Sequence, residues 1–193
     1  MSDLAGDCVY FGLGGGRSSG AVRDSSCRRI GRNGVTVTAG DDFLVERVTT
    51  DRIGYVVFDV EPNAGTGFGS QRVVFDSNTI GTYHMKAYTI IGNAPVSMQA
   101  FTNNRVAGDS LRVGIADRSH RPSGVTIAGN VSETAGPNNA LTLYGVTGLK
   151  VSQNTVPLTV GTLAYVSGGC NVSIAGNAFP GGSRESFITN PLC

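Results

Sequence analysis

The chain has 193 residues, a net charge of +1, 15% charged and 40% hydrophobic residues, and 28 glycines. That is enough for one domain with a substantial core, too little for two ordinary domains, and too apolar and weakly charged for a disordered polymer. The near-zero charge excludes a global pull toward nucleic acid or an anionic membrane, and no apolar run approaches the roughly 18 residues of a membrane span.

Residues 1–7 lack the basic and apolar regions of a signal peptide. Residues 11–20, FGLGGGRSSG, read as a loop; without a Gly-Lys-Ser or Gly-Lys-Thr ending and a following helix they are no phosphate loop. Beyond them, no stretch of twelve residues keeps apolar positions at helical spacing without Gly, Pro or Asn intervening, so short strands joined by tight turns are expected. The pair Ile-Gly recurs at Ile30-Gly31, Ile53-Gly54 and Ile80-Gly81. Then VVFDSNTI (73–80), QAFTNNRV (99–106), VTIAGNVS (125–132), LKVSQNTV (149–156) and VSIAGNAF (172–179) each set an alternating strand before an asparagine. Asn78, Asn104, Asn130, Asn154 and Asn177 are spaced by 26, 26, 24 and 23 residues. A unit of about twenty-five residues with three short strands cannot bury its own apolar face, so it stacks on copies of itself. Stacking turns equivalent residues into columns about 4.8 Å apart, and an inward asparagine column passes amide hydrogen bonds from coil to coil. A sandwich of ordinary hairpins explains the strands but not this spacing.

Over residues 27–180 this pattern of strand, Asn turn, short strand, loop and strand resembles the right-handed parallel β-helix proteins of the pectate-lyase-like superfamily. The expected fold is therefore all-β, a right-handed parallel β-helix of about seven coils with an asparagine ladder. One domain is expected over 1–193: an irregular first coil (1–26), regular coils (27–180) and an irregular last coil (181–193). The resemblance implies a carbohydrate-active or carbohydrate-binding protein, lyase-like or hydrolase-like, on an extracellular polysaccharide that includes uronic-acid polymers. It equally embraces noncatalytic surface proteins and viral tail-spike or fibre segments. It places the chain outside the cell or on a cell or virion surface. Open strand edges imply flanking coils of a longer solenoid, of which this chain would be a fragment, or another subunit of a homo-oligomer. Cys8 and Cys27 are 19 apart and Cys170 and Cys193 are 23 apart, so each pair suits adjacent coils; four buried thiols are the competing reading.

The resemblance also points to the sheet following the Asn turn as the carrier of a substrate groove. Its strands here would lie at 34–38, 55–62, 84–90, 111–118, 140–145 and 163–168. Alternation that turns Phe58, Val60, Met85, Ala87, Val113 and Ile115 inward leaves Asp59, Glu61, His84, Lys86 and Arg112 outward as candidate catalytic residues. Leu141, Leu143, Ala164 and Val166 likewise turn inward, leaving Tyr144 and Tyr165, with Tyr88, as candidate sugar-stacking residues. With Asp51 at the turn of its coil, Asp59, Lys86 and Arg112 would stack in one column, and Glu61 and Tyr88 in the next. Elimination would use Arg112 and Lys86 to neutralise a sugar carboxylate and His84, Tyr88 or Lys86 as base. Hydrolysis would use Asp59 and Glu61 as a carboxyl pair. An outward ion-pair ladder is the plain structural alternative.

No cofactor is expected. Asp41-Asp42 resemble the paired aspartates of pectin-degrading hydrolases, but the accompanying His and Arg-x-Lys patterns are missing, and two carboxylates fall far short of a calcium shell. His120 sits in a loop sequence, SHRPSG, and the cysteines lack zinc spacing. Two glycosylation sequons begin at Asn130 and Asn171, the first on an asparagine expected inside the ladder.

Overall fold

Alternating β-branched and aromatic residues broken by Gly, Asn and Asp favour short strands and sharp corners over helix. The computed structural model describes residues 1–12, 18–62, 68–91, 94–116, 120–136 and 138–189. These form a parallel β-solenoid of about seven turns, with no helix among the described residues. Three parallel sheets run along its axis. The first has six strands, from Ser2–Leu4 to Val131–Ser132; the second has eight, from Val9–Phe11 to Arg184–Thr189. The third runs from Gly20–Arg23 to Ser173–Ala175, with Val96–Ser97 paired to Ser70–Asp76 at its side. Strands from successive coils are neighbours in every sheet, so the core is a set of apolar columns. In the middle coils the columns become aromatic: Phe58 stacks on Phe75 at 4.8 Å and Tyr88 on Phe101 at 5.2 Å between ring centroids.

The asparagine ladder occupies the corner between the third and first sheets. Asn78 donates its backbone N–H and its Nδ2–H to Oδ1 of Asn104, at 3.0 and 2.9 Å, and its Nδ2 also donates to the Val45 carbonyl. Asn104, Asn130 and Asn154 repeat this with the next asparagine and with a core-strand carbonyl. Asn177 ends the series on Glu185 Oε1, at 3.1 and 2.8 Å. The residue before each ladder position takes a left-handed turn: Arg47, Ser77, Asn103, Gly129, Gln153 and Gly176 all have positive φ. That conformation suits Gly and Asn, which explains the glycines found just before ladder asparagines.

Two expectations about register are corrected. Asp51 does not take the turn position of its coil; Val48 does, giving its N–H to Asn78 Oδ1 at 2.9 Å. Thr49 consequently pairs with Thr79, and Asp51 lies beside Gly81. The Ile-Gly series therefore splits. Gly31 and Gly54 stack so closely that a Cβ on Gly54 would come 2.4 Å from the Gly31 carbonyl oxygen, whereas Gly81 lies opposite Asp51, out of line with Gly54.

A disulfide joins Cys8 to Cys27 across the first two coils. Cys170 is also disulfide-bonded, and its expected partner Cys193 lies outside the described residues. Asn130 is fully buried in the ladder, and Asn171 is exposed at a turn with positive φ.

Candidate functional site

Outward residues of the second sheet form a column of Thr36, Asp59, Thr89, Gly114, Thr142 and Tyr165, fixed by strand register. Because Gly114 contributes no side chain, the middle of this column opens into a cleft of about 290 Å³. Asp59, Glu61, Lys86 and Thr89 lie along it, while Tyr55, Met85, Ile91 and Tyr144 supply apolar walls. The stem of Lys86 passes over Gly114, its Cε 3.5 Å from where a Cβ would stand.

Asp59 faces outward yet is only 4% exposed. Its Oδ2 accepts Asn33 Nδ2–H at 3.1 Å, and its Oδ1 accepts the Thr89 hydroxyl. Burial pushes its pKa from 3.8 up to about 6; Thr89 pulls it down, Glu61 and Asp7 push it up, and Arg32 lowers it. Asn33 also donates to Thr36, whose hydroxyl donates to Asp7 at 2.8 Å, so a buried polar chain runs under the rim. Glu61 is partly exposed and held by Arg32 at 3.2 Å, whose other arm reaches Asp7 at 3.4 Å. The two carboxyls of the expected pair thus share a cleft but sit in opposite surroundings. Lys86 is half-buried, and burial together with the positive Arg112 lowers its pKa.

The expected column of Asp59, Lys86 and Arg112 does not form. Lys86 pairs with Val56, and Thr89 stands beside Asp59. Val48 rather than Asp51 at the turn sets Asp59 opposite Thr89, and Arg112 is moved off Lys86 by a bulge in which the N–H groups of both Ala87 and Tyr88 point at the Arg112 carbonyl, at 2.8 and 3.5 Å. Both side chains then enter the core, and the alternation shifts by one. Tyr88 is fully buried rather than outward, Met85 is exposed on the cleft rather than inward, and Glu61 and Tyr88 share no column. The other residues expected inward, from Phe58 to Val166, are buried. Arg112 is engaged beside the cleft: its guanidinium lies 4.8 Å from the Tyr83 ring centroid and donates to Asp109 at 2.9 Å. His84 is exposed before the strand and does not line the cleft.

Tyr144 lines the cleft and begins an aromatic row with Tyr165 at 6.1 Å and Phe187 a further 5.9 Å along the axis. Sequence reading missed Arg32, Asn33, Thr89, Gly114 and Phe187. Gly114 was the most visible of these, a residue without a side chain at an outward strand position in LRVGIADR. Asp42 is bound by both arms of Arg72, at 2.6 and 2.9 Å, so the paired aspartates are part of a surface ion pair. No cluster of three or more His, Cys, Asp or Glu suited to a metal occurs among the described residues. Among the described residues, no helix is long and apolar enough to cross a membrane. Comparison with protein-family models, with curated proteins and with solved structures found no match for this chain.

Proposed function

We propose that this β-solenoid binds an extracellular polysaccharide across its eight-stranded sheet and hydrolyses it at the cleft, in the manner of the pectate-lyase-like superfamily it resembles. The carrying observation is that two carboxyls in one cleft sit in opposite surroundings, Asp59 buried with its pKa pushed up to about 6 and Glu61 partly exposed beside Arg32. A buried acid with a raised pKa beside a more accessible carboxyl suits a proton donor and a second acid that acts on water or the sugar. Asp59 gives its proton to the leaving oxygen, and Glu61 acts on water or the sugar. The aromatic row from Tyr144 to Phe187 offers stacking faces for further sugars. Elimination has less support, because Arg112 is engaged elsewhere and Lys86 alone would have to serve as base. The disulfide-bonded cysteines favour an oxidising, extracellular setting. Digestion of a polysaccharide panel, followed by both reducing ends and the absorbance of unsaturated sugars, tests the proposal. Reducing ends that vanish in Asp59→Asn and Glu61→Gln support hydrolysis, absorbance that vanishes in Lys86→Gln supports elimination, and no product with any polymer rejects catalysis.

A noncatalytic fibre or adhesive module is the second reading. Coil-to-coil ion pairs of Arg29 with Asp3, Arg47 with Asp24 and Arg72 with Asp42 favour it, since outward columns here already serve stacking. A protease-resistant homo-oligomer without turnover would decide for it.

A further inference from the structure

Among the described residues, the partly buried cations are Arg72, Lys86 and Arg112. Arg72 is paired with Asp42 and Arg112 with Asp109. Among the described residues Lys86 makes no ion pair, and the charge it feels is the positive one of Arg112. A half-buried ammonium without a counter-ion is costly, and it is retained here beside a cleft walled mainly by hydrocarbon. The apolar surface is equally telling. Tyr55, Met85 and Ile91 are 42%, 38% and 43% exposed, and all three meet at this one cleft. The two acids that line the same cleft are engaged elsewhere, Glu61 paired with Arg32 and Asp59 hydrogen-bonded within its own buried network.

We propose that the cleft is a receptor for a small amphipathic anion, a carboxylate or sulfate opposite Lys86 on an aryl or acyl body seated against Tyr55, Met85, Ile91 and Tyr144. The cleft volume of about 290 Å³ accepts such a body, near the roughly 300 Å³ lower end of ligand sites. The ligand is either a free acid or an acyl- or aryl-bearing substituent of a larger molecule, and the inference stands whether or not a sugar polymer crosses the sheet.

The test titrates the full chain with 4-phenylbutyrate, its neutral amide and acetate by calorimetry. The acid is expected to bind at least tenfold more tightly than the amide, and acetate not to bind. Lys86→Gln should bring acid and amide to equal affinity, Lys86→Arg should keep the preference, and Gly114→Leu, filling the floor of the cleft, should abolish both. Equal binding of acid and amide by the unaltered protein, binding of acetate alone, or no binding of either aryl probe overturns the proposal. Because none of these probes is a sugar, its failure is separate from failure of the polysaccharide reading.

Discussion

The ladder corner and the cleft are built from the same coils and treat repetition in opposite ways. At the corner, successive coils place the same residue, and each asparagine serves as donor to one neighbour and acceptor from the other. On the outer face of the eight-stranded sheet, the corresponding column changes identity at every step, from Thr36 through Asp59, Thr89 and Gly114 to Thr142 and Tyr165. A uniform buried column makes an asparagine useful only beside its own kind. A varied outward column leaves a gap at Gly114 and an acid at Asp59, which is what a binding surface needs and a repeating scaffold does not. The contrast sets the uniform hydrogen-bond ladder at the regular corner against the proposed site on the irregular face.

The most severe way to test this division is Asn104→Ala. It removes the acceptor for the Asn78 backbone and side-chain donors and the donor to the Phe75 carbonyl, all in a fully buried corner. Stranded buried polar groups cost ~1–3 kcal/mol each, so a loss of roughly 3–5 kcal/mol is expected in urea denaturation. A loss below ~1 kcal/mol would mean that the ladder is ornamental.

The cleft makes the opposite prediction, because Asp59 is held there at a cost. Its folded pKa of about 6 lies above the ordinary 3.8, so the folded chain binds that proton more readily than the unfolded one. The cost of the ionised carboxylate is fully present above pH 6 and is relieved as pH falls from about 6 toward 3.8. Each tenfold difference in proton affinity between the folded and unfolded chain is worth ~1.4 kcal/mol, so about 2 kcal/mol should be regained between pH 7 and pH 4.5. Asp59→Asn has no such proton, so subtracting its denaturation profile from that of the unaltered chain isolates the effect. A difference that stays flat across this range would remove Asp59 from the role of proton donor.

How far each region could be read from sequence follows from the same contrast. The ladder is a repeat of identity, and the spacing of Asn78, Asn104, Asn130, Asn154 and Asn177 exposes it without knowledge of anything that contacts it. Its upstream continuation is hidden, because Val48 fills the position and joins the stack only by donating its backbone N–H to Asn78. Taking Asp51 as the turn displaced the expected columns on the far sheet. Face assignment fails at Tyr88 for a different reason: a bulge depends on the partner strand, here the Arg112 carbonyl, and no local alternation reveals it. Asp59, Glu61, Lys86 and Tyr144 do converge on the cleft, whereas Arg112 and His84 do not. Arg32 and Asn33 were invisible because they reach the site from a preceding coil, through contacts 26 to 29 residues long.

A smaller effect is expected where the regular corner ends. Asn177 donates twice to Glu185, which replaces the missing next asparagine. Glu185→Ala should cost ~1–2 kcal/mol, while Glu185→Gln keeps a carbonyl oxygen at the same reach and should cost less than ~0.5 kcal/mol. Equal losses in the two variants would show that charge rather than an acceptor closes the ladder.

The smallest change tests the assignment of Tyr88 to the core. Its ring stacks on Phe101, and its hydroxyl is buried without a hydrogen-bond partner, with burial and the nearby Asp59 pushing its pKa up. An unpaired buried hydroxyl opposes folding, so deleting it while keeping the ring removes a desolvation cost and leaves the packing intact. Tyr88→Phe should therefore be neutral or more stable by up to ~1 kcal/mol in denaturation, and binding at the cleft should be unchanged. An outward, ligand-facing Tyr88 would give the reverse: unchanged stability and weakened binding. The sign of this one difference separates a residue that belongs to the repeating core from one that belongs to the irregular face.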